Sequence, residues 1–178
     1  MDNMKIENLD DAELVSMIIK GDKESFRLLH SKYFDSLIRF AWFRTHSIET
    51  SRDLVQDLFL KIWIKRNYLN PQKSIQAYLY KALNNSIINY IKLHSTKNIP
   101  IEDVHEKVID QENIEIQLDI KKVLNSLPEK LQTVFILSRY ENYKNTEIAE
   151  ICGISVKAVE KRMTKTLKIF RKIFSGTR

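Results

Sequence analysis

Between Tyr143 and Phe174 the sequence YKNTEIAEICGISVKAVEKRMTKTLKIFRKIF leaves room for little besides two helices and a tight turn. Ile148, Ala149 and Ile151 give the first helix an apolar side, and Gly153 has the backbone freedom to stop it. Ser155 is a residue that caps the next helix, where Val159, Met163, Leu167 and Phe170 recur at spacings of four and three and mark a buried stripe. Lys157, Lys161, Arg162, Lys165, Lys168, Arg171 and Lys172 fall elsewhere around that helix. A short helix, a turn glycine, a cap and a basic second helix are the layout of a helix-turn-helix that enters a DNA major groove. The plainer alternative is a helical hairpin with a solvated basic face, and the joint occurrence of the four signals favours DNA.

Composition extends the helical expectation to the whole chain. Of 178 residues, 43% are hydrophobic, enough for a folded core, and only three Gly and three Pro argue against a turn-rich β architecture. The single Cys152 excludes an internal disulfide and a multi-cysteine metal site, and reads as a small core residue. No apolar run reaches membrane-spanning length and no signal-peptide core follows Asp2 or Glu7, so the expected compartment is the cytoplasm. There is no glycine-rich phosphate loop and no His-x-x-x-His pair; His30, His46, His94 and His105 lie in different elements. Asp10–Asp11 and Glu102–Asp103 read as caps and solvated surface. The expectation is therefore no enzyme activity, no cofactor and no metal.

The net charge of +6 is unevenly placed. Residues 1–93 carry +3, residues 94–116 carry −4, and residues 121–178 carry +8, from 13 basic and 5 acidic side chains. Two basic modules around an acidic connector suggest a polyanion partner touched at both ends.

The helix signals sort the same way. Asp10 with Glu13 is a capping box for a short helix ending near Gly21, and Asp22 caps a longer one carrying Phe26, Leu29, Tyr33, Leu37 and Phe40. A third helix is expected from about Thr50 to Lys65, with Thr50 and Asp53 at box spacing. After a break around Pro71, a fourth covers roughly Ile75 to Leu93. These four form one antiparallel domain over residues 1–93. Residues 94–116, with Pro100 and a run of acids, read as a flexible linker. A second helical unit over 117–178 begins near Ile116 and continues past Pro128, which fits the first turn of a helix to about Glu141; the helix-turn-helix completes it. The fold class is all-α, in two small helical domains.

Two helices carry more than a core stripe explains. The fourth, IQAYLYKALNNSIINYIK, fills its stripe with Leu79, Leu83, Ile87 and Ile91, and sets Tyr78, Tyr80, Asn84, Asn85, Asn89 and Tyr90 among Lys81 and Lys92. Rings stack on bases, amides read base edges and ammonium groups meet phosphate, so these residues suit single-stranded nucleic acid; they also suit an ordinary amphipathic helix. On the third helix Gln56, Asp57 and Lys61 lie off the most apolar arc, which holds Leu54, Val55, Leu58, Phe59, Ile62 and Trp63. That surplus fits a protein partner, and equally a central place in the bundle.

In this order, DLVQDLFLKIW (53–63), AYLYKALNNSIINYIK (77–92) and SLPEKLQTVFILSRYENYKNTEIAEICGISVKAVEKRM (126–163) resemble the extracytoplasmic-function sigma factors of the sigma-70 family, over about residues 10–93 and 117–174. The resemblance implies a subunit that binds core RNA polymerase and recognises promoters, and it assigns roles by position. Gln56, Asp57 and Lys61 would meet the clamp helices of the largest polymerase subunit. Tyr68, Asn70, Tyr78, Lys81, Asn84 and Asn85 would capture unpaired bases of the −10 element. Lys157, Glu160, Lys161, Arg162, Thr164 and Lys165 would read the −35 duplex, where Lys donates to guanine and Glu accepts from cytosine. Tyr78 stands where relatives often have Trp, and Asn84 where they usually have a basic residue. The acidic linker resembles the segment that threads through polymerase, and the resemblance also implies an anti-sigma factor as a partner. Two other readings compete: a helix-turn-helix regulator acting on operator DNA without polymerase, and a protein-binding adaptor. The first has no use for the aromatic-amide helix, the second none for the basic one.

Overall fold

A computed structural model of the chain describes residues 9–94, 123, 124 and 126–175. The chain divides into two compact units, Met1–Val104 and His105–Arg178. Among the described residues all regular structure is helical. The expected linker over 94–116 lies outside the described residues from position 95 onward.

In the N-terminal unit, helix α1 spans Asp11–Ile19 and opens on the expected capping box: Glu13 N–H donates to Asp10 Oδ1 at 2.8 Å and Asp10 N–H to Glu13 Oε2 at 2.9 Å. The chain turns at Gly21, whose φ of 88° is left-handed. Asp22 Oδ2 then accepts from Ser25 N–H at 2.8 Å and starts α2, Lys23–Thr45. Helix α3, Ile48–Ile64, begins earlier than its sequence suggested. Ser47 is the cap, accepting from Thr50 N–H at 3.2 Å, whereas Thr50 lies inside the helix with its hydroxyl 3.4 Å from that of Tyr90. A short 3₁₀ turn, Arg66–Tyr68, leads into a turn closed by Asn70 Oδ1, which accepts from Gln72 N–H at 2.9 Å. Helix α4, Ile75–His94, follows with Ser74 accepting from Ala77 N–H at 3.0 Å.

Helix α2 packs against α1, α3 and α4 and so holds the centre of the unit. Leu29, Leu37, Phe40, Val55, Ile62, Leu79, Leu83 and Ile87 are fully buried. Tyr80 joins them: its ring meets Phe40 edge-on at 5.2 Å, so it is a core residue and not part of a base-stacking surface. Ile91, expected in the stripe, is exposed. Asp11 ties α1 to α2, receiving Lys32 Nζ at 2.8 Å and the Tyr33 hydroxyl at 2.5 Å.

In the C-terminal unit Val123, Leu124 and Ser126 are helical, and the chain leaves the helix before Pro128. The chain breaks at Leu127 because the residue before a proline is driven out of the helical region. It re-enters as α5, Glu129–Arg139, with Pro128 just ahead of the first turn. Helix α5 is buried at seven consecutive positions, Leu131 to Leu137, and is the centre of this unit. Helix α6 spans Asn145–Cys152 and ends at Gly153, with φ 63°. Helix α7 spans Val156–Ser175, and Ser155 Oγ accepts from Ala158 N–H at 3.2 Å. Its buried positions are Val159 and Thr166; Met163, Leu167 and Phe170 are only half-buried. Phe170 stacks on Phe135 of α5 at 4.8 Å.

Candidate nucleic-acid and polymerase interfaces

Each residue of an α-helix turns the chain by about 100°, so the exposed side chains of α7 can be placed around its axis. Lys157, Glu160, Lys161, Thr164, Lys165, Lys168, Arg171 and Lys172 are exposed and share an arc of about 140°. Val159, Met163, Thr166, Leu167 and Phe170 occupy the opposite side, facing α5 and α6. One face of α7 is thus a cationic strip with a single carboxylate, Glu160, and the packing that fixes the helix lies behind it. Arg162 falls off this strip. It is half-buried and close enough to Cys152 on α6 to act on its thiol: burial pushes the thiol pKa up, and the guanidinium pulls in the other direction. Gly153 sets the angle between α6 and α7 through its left-handed backbone. Lys144, ahead of α6, has no acceptor to cap with, and Glu147 Oε2 instead accepts from its N–H at 2.7 Å.

On α4, Tyr78, Lys81, Asn85 and Asn89 are exposed at spacings of three and four and form a second stripe. Tyr78 is 46% exposed although its neighbours Leu79 and Tyr80 are buried. The 3₁₀ turn before the helix holds Tyr68 out at 89% exposure, with Asn70 beside it. Arg66 anchors that turn: its guanidinium lies 4.7 Å over the Trp63 ring and its Nη1 donates to Trp63 C=O at 2.9 Å. Asn84 stands apart from the rest. It is half-buried and its Oδ1 accepts from Arg44 Nη1, reached from the end of α2. Tyr90 is also drawn aside, stacked on His94 at 4.1 Å.

The third face is on α3. Gln56, Asp57 and Lys61 are exposed, about 140° apart at the extremes. Between them lie Leu60 and Ile64, 57% and 65% exposed, which the sequence reading did not single out. The surplus apolar residues it did name are half-buried or core: Val55, Leu58, Phe59 and Ile62 are buried, Leu54 and Trp63 half-buried. The signal for Leu60 and Ile64 was their four-residue spacing among polar neighbours, on the side away from the buried stripe. A pair of large aliphatic side chains bordered by an amide, a carboxylate and an ammonium is suited to a protein partner.

Among the described residues no group of His, Cys, Asp or Glu is placed to hold a metal, and no helix is long and apolar enough to cross a membrane.

Residues 29–96 match the family described as Sigma-70 region 2, and residues 117–169 match Sigma-70, region 4. The chain is 27% identical over 146 residues to the RNA polymerase sigma factor YlaC of Bacillus subtilis, covering 77% of this chain and 84% of that protein. It is 26% identical over 174 residues to the ECF RNA polymerase sigma-E factor of Haemophilus influenzae, covering 88% of this chain and 91% of the relative. In fold it resembles CnrH, solved in complex with the cytosolic domain of CnrY, with TM-score 0.73, 18% identity and 94% of this chain against 99% of the other. It also resembles the sigma factor RpoE of Bartonella quintana, solved with the anti-sigma factor NepR, with TM-score 0.69, 21% identity and 87% of this chain against 99% of the other.

Proposed function

The chain belongs to the sigma-70 family as a factor of the extracytoplasmic-function type, an alternative sigma factor that directs transcription initiation, and we propose from that premise how its surfaces divide the work. Residues 1–93 form the domain that binds core polymerase and the −10 element, 94–116 the connector, and 117–178 the domain that binds the −35 element. Gln56, Asp57 and Lys61, with Leu60 and Ile64 between them, dock on the clamp helices of the largest polymerase subunit. Tyr68, Asn70, Tyr78, Lys81, Asn84 and Asn85 hold the unpaired −10 strand, by stacking, amide contacts and phosphate pairing. Lys157, Glu160, Lys161, Thr164 and Lys165 enter the −35 major groove, with Arg162 supporting from beside the strip.

The observation that carries this reading is the separation of two chemistries onto two units. An aromatic-amide stripe suited to single strands lies on one, and a cationic helix face suited to duplex on the other. The protein then performs no covalent chemistry itself, since polymerase makes the bonds, and it works in the cytoplasm with that enzyme. An anti-sigma factor is the proposed regulatory partner, by analogy with the complex described for RpoE and NepR.

The test is transcription by purified core RNA polymerase on a promoter library, with and without the protein. Specific starts should appear only with it, together with a stable complex on gel filtration. Binding to duplex DNA without any association with core enzyme would instead identify an operator-binding regulator.

A further inference from the structure

Asn84 and Asn85 are adjacent amides that the sequence treats alike, yet they are held in opposite ways. Asn85 is exposed and its side chain makes no hydrogen bond among the described residues, so its amide can turn and offer either its carbonyl or its NH₂ to a ligand. Asn84 is tied to Arg44, a side chain only 9% exposed at the C-terminal end of α2. A guanidinium donates and never accepts, so the atom it meets must be the amide oxygen. That choice turns the Nδ2 group away from Arg44. It is left without a partner among the described residues, about 60° around the helix from exposed Lys81. Turning the amide over would set NH₂ against a buried cation, donor facing donor, and lose the bond to the amide oxygen.

We propose that Arg44 fixes the polarity of Asn84, so that Asn84 meets the −10 strand as a donor only and selects a base with an acceptor at that place. Arg44 is then a positioning residue that acts through Asn84, while Asn85 beside it tolerates either edge. The proposal rests on the reading of α4 as the −10 face. It adds which of the two amides discriminates, and what sets the sense of the discrimination.

The experiment uses holoenzyme rebuilt from core RNA polymerase and the full chain. A single-stranded DNA oligonucleotide with a randomised centre is the probe, and the captured strands are sequenced. Asn84→Ala should flatten base preference at one position by about 2–10-fold, the worth of one neutral hydrogen bond. Arg44→Met should flatten the same position to a similar degree, Arg44→Lys should keep the preference, and Arg44→Met with Asn84→Ala should be no flatter than Asn84→Ala alone. The proposal is overturned if Asn84→Ala leaves every preference unchanged, or if Arg44→Met lowers total capture equally at all positions. Should Arg44→Met fail to fold, Asn84→Asp decides. A carboxylate can only accept, so preference at that position should move toward bases presenting a donor, and an unchanged preference sinks the idea. Tyr78→Ala with Lys81→Ala is the separate control. If that pair leaves strand capture intact, the −10 reading of α4 fails, whatever Asn84 does.

Discussion

At the residue scale, single side chains are separable into those that shape the two units and those proposed to meet nucleic acid. Gly153 belongs to the first group. A Cβ built there meets nothing within 4 Å, so Gly153→Ala should be costly only through its φ of 63°. The expected loss is about 1–2 kcal/mol, read as a lower urea midpoint with unchanged slope. Asp22 is a second case, with a pH signature. Its carboxylate is held below the ordinary value of 3.8 by hydrogen bonds from the side chain and backbone of Ser25. A lowered folded pKa means stability that is present above the unfolded value and lost as pH falls through the folded one. Asp22→Asn should therefore lose less stability than the parent over that acid window, as thermal melts across a pH series would show. Lys161 and Lys165 are proposed for the second group, both being exposed on the outward face of α7. Replacing both with Ala should lower the slope of log affinity against log salt for −35 duplex by about 2, one per phosphate contact, and leave association with core polymerase intact. The sequence revealed these lysines because spacing and charge suffice to place them. It could not divide Asn84 from Asn85, since that difference comes from an arginine 40 residues earlier.

At the element scale, most helices announce themselves by their caps, and the exceptions are instructive. The box at Asp10, the cap at Asp22 and the stop at Gly153 were legible because each acts on its own next turn. The start of α3 was not, because Ser47 and Thr50 are both plausible caps and only the surrounding packing chooses. Ser47→Ala should then cost about 1 kcal/mol in urea unfolding, more than Thr50→Ala. Helix α3 carries the face proposed to dock on core polymerase. Leu60 and Ile64 are exposed, so replacing both with Ser should change stability by less than about 0.5 kcal/mol. If they anchor core polymerase, the same pair should weaken that complex at least about tenfold, as measured by competition against another sigma factor. A stability loss without a binding loss would return them to the bundle. Helix α7 corrects a similar inference in the other direction. Its apolar stripe is buried at Val159 and only half covered along Met163, Leu167 and Phe170.

At the scale of the whole molecule, each unit has its own buried core, Leu29, Phe40, Leu79 and Leu83 in one and Val134, Ile136, Ile148 and Val159 in the other. Fragments 1–104 and 105–178 should each fold, and mixing them should not restore the promoter affinity of the intact chain. Covalent linkage turns the second contact into an intramolecular step, so the loss should reach a hundredfold or more, about the effective-concentration gain of a short linker. Equal affinity for linked and separated fragments would show that only one unit grips DNA. By itself the sequence determined that the chain is helical, that its charge lies in two basic modules around an acidic stretch, and that one helix turns a cationic face outward. These follow from periodicity, caps and charge, which act over one or two turns. Only the tertiary structure decided that Tyr80 is core, that Leu60 and Ile64 are left uncovered, and that Arg44 holds Asn84. Each of those depends on which distant helix arrives at a given face, and burial, unlike periodicity, is a property of that arrival.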